Sequence, residues 1–135
     1  MQAKTTIFLV DDDPAVRDSV KLALETYGFT VRDFASGSDF LASGDGAENA
    51  CLVLDMHMPV VNGLDLLEQL AANKIAPPTV IITGRADDSI KRRAHAAGAF
   101  AVLEKPFDTA ALLTAMRQAM DVRSKIVLNS RQAVR

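Results

Sequence analysis

Cysteine, tryptophan and tyrosine are scarce in this 135-residue sequence, which has a single cysteine, no tryptophan and one tyrosine. Cys51 has no partner for a disulfide and lies in an apolar run, so we interpret it as a small buried hydrophobic residue of a protein in a reducing compartment. Zinc and copper sites need clusters of cysteine and histidine. With two histidines in the whole sequence, neither metal is expected.

Long apolar runs are also missing. No stretch approaches the roughly 18 apolar residues that a membrane-spanning helix needs. The first apolar run, Thr6 to Val10, is followed at once by three acids, unlike the pattern of a secretion signal. We therefore expect a cytoplasmic protein that does not contact a membrane.

Charge is unevenly distributed along the chain. Residues 1–120 carry 11 basic and 16 acidic side chains, whereas residues 121–135 carry four basic ones and one acidic one. An acidic body is a poor surface for nucleic acid, and no helix-turn-helix pattern is present, so direct nucleic-acid binding by this chain is not expected. The length predicts one domain, which we place at residues 4–121, followed by a C-terminal helix extension or interdomain linker over 122–135.

Short apolar runs alternate with helical patterns, which is typical of βα units that build a parallel sheet. Five such units predict an α/β protein with a flavodoxin-like (βα)5 fold, in which a doubly wound parallel sheet has the strand order 2-1-3-4-5. The predicted strands cover residues 5–10, 29–34, 50–54, 79–82 and 99–103.

Polar residues stand where these strands stop. Asp11 and Asp12 follow the first strand, Asp55 the third, Thr83 the fourth and Lys105 the fifth. The carboxyl ends of parallel strands meet at one edge of the sheet, and the topological switch point of this strand order lies between strands one and three. The two acidic clusters are therefore expected side by side.

Carboxylates crowded in this way repel one another unless a cation compensates them. Mg²⁺, or Mn²⁺ in its place, is the expected ion because it prefers oxygen ligands and keeps waters that phosphate oxygens can replace. Asp55 is the candidate nucleophile, since carboxylates serve in aspartyl-phosphate chemistry. Lys105 would offer a positive charge, and Thr83 a hydroxyl, to phosphoryl oxygens.

The ordered set of motifs resembles the receiver domain of bacterial two-component response regulators, and within that family the FixJ-like group. The matching segments are Val10-Asp11-Asp12, Leu54-Asp55-Met56-His57-Met58-Pro59, Ile82-Thr83-Gly84 and Glu104-Lys105-Pro106-Phe107.

This resemblance implies a role for each matching residue. Asp55 would accept a phosphoryl group from a histidine kinase, and Thr83 and Lys105 would contact that group. The ligands of Mg²⁺ would be Asp12, Asp55 and the backbone carbonyl of His57, with Asp11 acting through water. The peptide bond between Lys105 and Pro106 would be cis.

One position departs from the family pattern. Receivers usually carry tyrosine or phenylalanine three residues before the lysine, where this chain has Val102. Phe100 is the nearby aromatic residue, and the predicted strand would place it on the same face as Val102. We expect the output of the switch to pass through Phe100, Val102 and the face formed by the fourth helix, fifth strand and fifth helix, by phosphorylation-dependent homodimerisation.

Alternative functions remain open from the residues. A haloacid-dehalogenase-type phosphatase would use Asp11 as nucleophile and Asp13 as acid, but it leaves Asp55 without a role. An interaction module with a decayed site is a third class. Within the family, the chain is either a stand-alone receiver or, as we favour, the receiver part of a transcription regulator. In either case we expect a phosphoacceptor with at most slow self-phosphatase activity, not an enzyme.

Overall fold

The computed structural model describes residues 5–43, 49–58, 62–73 and 76–133, with the backbone alone from 122 onward. Strands and helices alternate along the chain. The strands are β1 (Thr6–Val10), β2 (Thr30–Phe34), β3 (Ala50–Asp55), β4 (Thr79–Thr83) and β5 (Ala101–Glu104). The helices are α1 (Pro14–Thr26), α2 (Gly37–Ser43), α3 (Gly63–Ala72), α4 (Asp88–Ala96) and α5 (Thr109–Ala133).

The five strands form one sheet in the order β2-β1-β3-β4-β5, and all four neighbouring pairs are parallel. The predicted flavodoxin-like fold and its strand order are therefore confirmed. The division into a unit over residues 4–121 and an extension or linker over 122–135 stays a prediction. In the structure α5 is continuous to Ala133, whereas residues 4, 134 and 135 lie outside the described residues.

Side-chain caps mark the starts of three helices. Asp13 accepts hydrogen bonds from the N–H groups of Ala15 and Val16 at 3.0 and 3.3 Å, with Pro14 in the first turn. Asn62 caps α3 and Asp87 caps α4 in the same manner, each over 2.8 Å. These caps satisfy N–H groups that have no partner inside the helix.

Apolar side chains pack on both faces of the sheet, as a doubly wound fold requires. On one face, Leu52, Leu54 and Ile81 pack with leucines of α3 and with Ala94 of α4. On the other face, residues of the same strands pack with Leu24 of α1 and Met116 of α5. The strands β3 and β4 are buried along their whole length. This rigid centre fixes the strand ends that carry the polar residues.

Candidate functional site

The predicted site residues converge at the carboxyl edge of the sheet. Asp11 directly follows β1, and Asp55 is the last residue of the neighbouring strand β3. Their strands are in register, with Val10 paired to Leu54. Thr83 ends β4, and Lys105 follows β5. The expected side-by-side placement of the two acidic clusters is confirmed.

Three carboxylates form the centre of this edge. One oxygen from each of Asp11, Asp12 and Asp55 lies within 4.8 Å of the others. Asp11 and Asp55 are buried, whereas Asp12 is exposed. Among the described residues, the buried Oδ2 of Asp11 receives no hydrogen bond. All the candidate ligand atoms are carboxylate oxygens, and one of them has no hydrogen-bond partner in the described part of the chain. Such a set suits a hard cation such as Mg²⁺, so the residues present fit the implied metal.

The electrostatic environment raises the pKa of Asp55 above its ordinary value. Burial raises the pKa of Asp55, and the nearby Asp11 carboxylate raises it further. Lys105 lowers this pKa, because its Nζ is 3.3 Å from Oδ1 of Asp55. The same Nζ is 3.6 Å from Oδ2 of Asp11. One ammonium thus faces two buried carboxylates, and the excess negative charge calls for a further cation.

Lys105 is held by the backbone around it. Its N–H donates to the carbonyl of Thr83 over 2.7 Å, which ties the end of β5 to the end of β4. The bond from Lys105 to Pro106 is cis. The side chain of Lys105 remains about a quarter exposed, at 27%. A ligand entering from solvent can therefore meet both the ammonium and the carboxylates.

Thr83 is buried at the same edge, and its hydroxyl already has protein partners. Oγ1 lies 3.0 Å from Nε2 of His57, in the loop after β3. It also lies 3.1 Å from the carbonyl oxygen and 3.2 Å from the N–H of Arg85. The resemblance to receivers implies a site role for the backbone carbonyl of His57, but it does not predict this side-chain contact.

Arg17 is a supporting residue that the sequence reasoning missed. Its Nη1 donates to the carbonyl of Asp11 over 2.8 Å, and its Nε pairs with Asp33 at the end of β2 over 3.2 Å. Lys21 pairs with the other oxygen of Asp33 over 3.2 Å. Helix α1 is therefore fastened to the loop that carries the acids. A basic residue one turn into the helix after the acidic cluster was the available signal.

Gly63 is a second residue that was missed. A Cβ at this position would overlap the carbonyl oxygen of Asp55 and lie 2.9 Å from its carbonyl carbon. The N–H of Gly63 donates to the carbonyl of Met56 over 3.0 Å. The start of α3 thus lies directly against the backbone of the candidate nucleophile. The glycine immediately after the capping residue Asn62 was the signal in the sequence.

The expectation that Phe100 shares a face with Val102 is wrong. Strand β5 starts only at Ala101, because the N–H of Ala99 still closes the end of α4 by donating to Ala94 over 2.9 Å. The two-residue alternation therefore does not extend back to Phe100. Phe100 packs in the core on the α1 and α5 side, whereas Val102 packs on the α3 and α4 side. Their proposed roles in output remain predictions.

Comparison with known proteins shows which family this sequence matches. The sequence matches the response regulator receiver domain over residues 7–117. The chain belongs to this family. Its receiver has the fold and the acidic edge through which receivers generally bind Mg²⁺.

Individual relatives agree with this assignment. The transcriptional regulatory protein FixJ of Azorhizobium caulinodans is 36% identical over 120 residues, which are 89% of this chain and 57% of that protein. The regulatory protein DctR of Rhodobacter capsulatus is 37% identical over 105 residues, 76% of this chain and 53% of that protein. The chain thus spans a little over half the length of these relatives.

Solved structures agree as well. The crystal structure of FixJ-N superposes with a TM-score of 0.81 at 36% identity, covering 90% of this chain and 96% of that one. The response regulator StyR superposes with a TM-score of 0.85 at 39% identity, covering 97% of this chain and 66% of that one. The receiver described here is therefore that of a FixJ-like response regulator of two-component signalling. Among its described residues, no helix combines the length and apolarity needed to cross a bilayer.

Proposed function

We propose that this receiver accepts a phosphoryl group on Asp55 from the phosphorylated histidine of a histidine kinase. The observation that carries the proposal is the placement of Asp55 among charged neighbours. Its buried carboxylate is 3.3 Å from the Lys105 ammonium and shares an edge with Asp11 and Asp12. A nucleophile, a cation for the phosphoryl oxygens and donors for a metal meet at one point.

The transfer exchanges one bond to phosphorus for another. A carboxylate oxygen of Asp55 attacks the phosphorus, the bond from phosphorus to the histidine nitrogen breaks, and its electron pair returns to the imidazole. Lys105 neutralises charge on a phosphoryl oxygen. Asp12, Asp55 and the backbone carbonyl of His57, with Asp11 through water, would hold Mg²⁺ or Mn²⁺. That ion supplies charge compensation for the phosphoryl oxygens.

The dehalogenase-type alternative is disfavoured by the structure around Asp13. That chemistry would need the Asp13 carboxyl as an acid beside Asp11. In the structure this carboxyl accepts two N–H groups at the start of α1. A carboxylate committed to capping is a poor proton donor. Asp55, by contrast, has no capping role, since α3 begins at Gly63 with Asn62 as its cap.

Phosphorylation at Asp55 is proposed to act as a switch, not as a step in turnover. Thr83 would move its hydroxyl toward the phosphoryl group, and the α4–β5–α5 face, including Val102, would change its packing and favour homodimerisation. The relatives' names support a role as the receiver part of a transcription regulator. Its cytoplasmic location stays a prediction.

Slow loss of the phosphoryl group is part of the proposal. His57 and Arg85 lie two residues after Asp55 and Thr83, and the resemblance to receivers implies that these two positions would flank the route of an attacking water. Neither side chain offers a carboxylate or amide to orient that water. We therefore expect self-dephosphorylation over many minutes or longer. The decay of the phosphorylated protein after removal of the donor measures it. A lifetime of seconds that does not respond to substitutions at either position would contradict this expectation.

Acetyl phosphate tests the proposal directly, because a small donor needs no kinase. Intact-protein mass spectrometry should show one added phosphoryl group in the wild type with Mg²⁺. Asp55→Asn should show none, and Asp12→Ala or a chelator should suppress the gain. Undiminished modification of Asp55→Asn, or equal modification with and without the chelator, would overturn it.

A further inference from the structure

The hydroxyl of Thr83 has no hydrogen-bonding capacity left for a phosphoryl group in this structure. A hydroxyl donates one hydrogen bond and accepts two. Its three neighbours are Nε2 of His57 at 3.0 Å, the carbonyl of Arg85 at 3.1 Å and the N–H of Arg85 at 3.2 Å. With either imidazole tautomer, these partners use the single hydroxyl hydrogen. A phosphoryl oxygen can receive it only after one of them gives it up.

His57 differs from the other two partners because it bridges two loops. Arg85 contacts Thr83 through backbone groups of the same turn, two residues along the chain. His57 instead extends from the loop after β3 to the end of β4, while its own N–H donates to Asp55 Oδ1 at 3.5 Å. The imidazole therefore couples the position of the Thr83 hydroxyl to the loop that directly follows the candidate phosphoacceptor.

We propose that the His57 side chain is a positioning residue that holds the Thr83 hydroxyl in its unphosphorylated arrangement and must release it before Thr83 contacts a phosphoryl group. This inference rests on the proposed phosphorylation of Asp55. It adds a role for the imidazole, which is distinct from the proposed metal contact of the His57 carbonyl.

A second contact holds the loop after β4 independently of His57. The N–H of Ala86 donates to Oε1 of Glu104 over 3.0 Å. Glu104 at the end of β5 thus holds this loop, while His57 in the loop after β3 contacts Thr83 where the loop begins. Because the Glu104 contact involves a backbone N–H beyond Thr83, it stays in place when only the imidazole is replaced. Substitution of His57 therefore removes the partner of the Thr83 hydroxyl that lies outside its own turn, while the Arg85 and Glu104 contacts stay in place.

Beryllofluoride with Mg²⁺ serves as the phosphoryl mimic, and ¹⁹F NMR reports its bound fraction directly. His57→Leu removes the imidazole partner of Thr83, so the variant should bind beryllofluoride about two- to tenfold more tightly, the scale of one net hydrogen bond. His57→Gln is the matched control. An amide can donate to Thr83 or accept from it, so its affinity should lie closer to that of the wild type.

The Thr83→Val background separates a held hydroxyl from a general loop effect. There is no hydroxyl to release in that background, so His57→Leu should change beryllofluoride affinity little. Mg²⁺ titrations of each variant without beryllofluoride show whether metal affinity has changed.

Three results would overturn the inference: an unchanged affinity in His57→Leu, the same gain with valine at position 83, or a gain fully matched by tighter Mg²⁺ binding. Failure of the wild type itself to bind beryllofluoride would instead refute the proposed function on which the inference rests.

Discussion

At the scale of single residues, ionisation of the Asp55 carboxyl lowers the stability of the folded protein. Burial and the Asp11 carboxylate raise the pKa of Asp55 in the folded protein. A carboxyl whose folded pKa exceeds its unfolded value of about 3.9 binds its proton more tightly when folded. Stability is therefore lost as the pH rises from the unfolded pKa through the folded pKa.

Asp55→Asn should thus stabilise the metal-free protein at pH 7. The gain should shrink as the pH falls toward 4, because the wild-type carboxyl takes up a proton as the pH falls through its raised pKa. Urea unfolding at the two pH values with a chelator present measures the difference. Asp18→Asn, which alters an exposed carboxyl on α1, is the control and should change little. Equal stability of Asp55→Asn and wild type at pH 7 would contradict the electrostatic description of the site.

The sequence predicts which residues lie together at the carboxyl edge of the sheet better than it predicts their individual contacts. Asp11, Asp55, Thr83 and Lys105 were all found because each stands at a strand end, and parallel strands bring such ends together. The contact between His57 and Thr83 was not predictable, because it depends on side-chain rotamers in two loops. Phe100 was misplaced because local alternation does not reveal where a strand begins.

At the scale of secondary-structure elements, Arg17 links α1 to the loop that carries Asp11 and Asp12. Arg17 bonds the carbonyl of Asp11 and pairs with Asp33, and its side chain is 16% exposed. Lys21 pairs with Asp33 alone and is 36% exposed. The pair made by Lys21 is therefore more strongly screened by solvent.

Arg17→Ala should lower the free energy of unfolding by about 1–3 kcal/mol, the range for a lost hydrogen bond from a charged group. Lys21→Ala is the matched control and should cost about 0–1 kcal/mol, as an exposed ion pair does. Urea unfolding of both variants gives the comparison. The assignment fails if the two substitutions cost the same.

The packing of α3 against β3 depends on the missing side chain of Gly63. An added Cβ would overlap the carbonyl of Asp55, so Gly63→Ala must displace the helix or the strand end. We expect a loss of about 1–3 kcal/mol, which is typical of overpacking. At Gly84 a Cβ would meet no atom within 4 Å, so Gly84→Ala should cost clearly less. Chemical denaturation tests this, and equal losses would show that α3 does not pack as described.

At the scale of the whole molecule, output must be achieved with Val102 at the family's aromatic position. A valine fills less of the space left by a moving Thr83 than a ring would, so we expect α4 and the 83–88 loop to repack instead. The resulting gain in dimer affinity should be modest, about 1–3 kcal/mol of coupling. Sedimentation with and without beryllofluoride measures it. An unchanged monomer fraction at micromolar protein, with Asp55 occupied, would exclude dimerisation as the output.

The sheet order was accessible from the sequence because it follows from the alternation of βα units and from the general preference for right-handed crossovers. The close approach of α3 to Asp55 and the link from Arg17 to Asp11 instead depend on how the elements pack. That geometry emerges only in the folded molecule.

Chemical trapping can decide whether Asp55, and not another acid of the cluster, receives the phosphoryl group. Borohydride reduction of the acyl phosphate, after treatment with acetyl phosphate and Mg²⁺, marks the modified carboxyl permanently, and peptide mass spectrometry then locates it. We expect the mark on Asp55 and no mark in Asp55→Asn. A mark on Asp11, which would fit phosphatase chemistry, would contradict it.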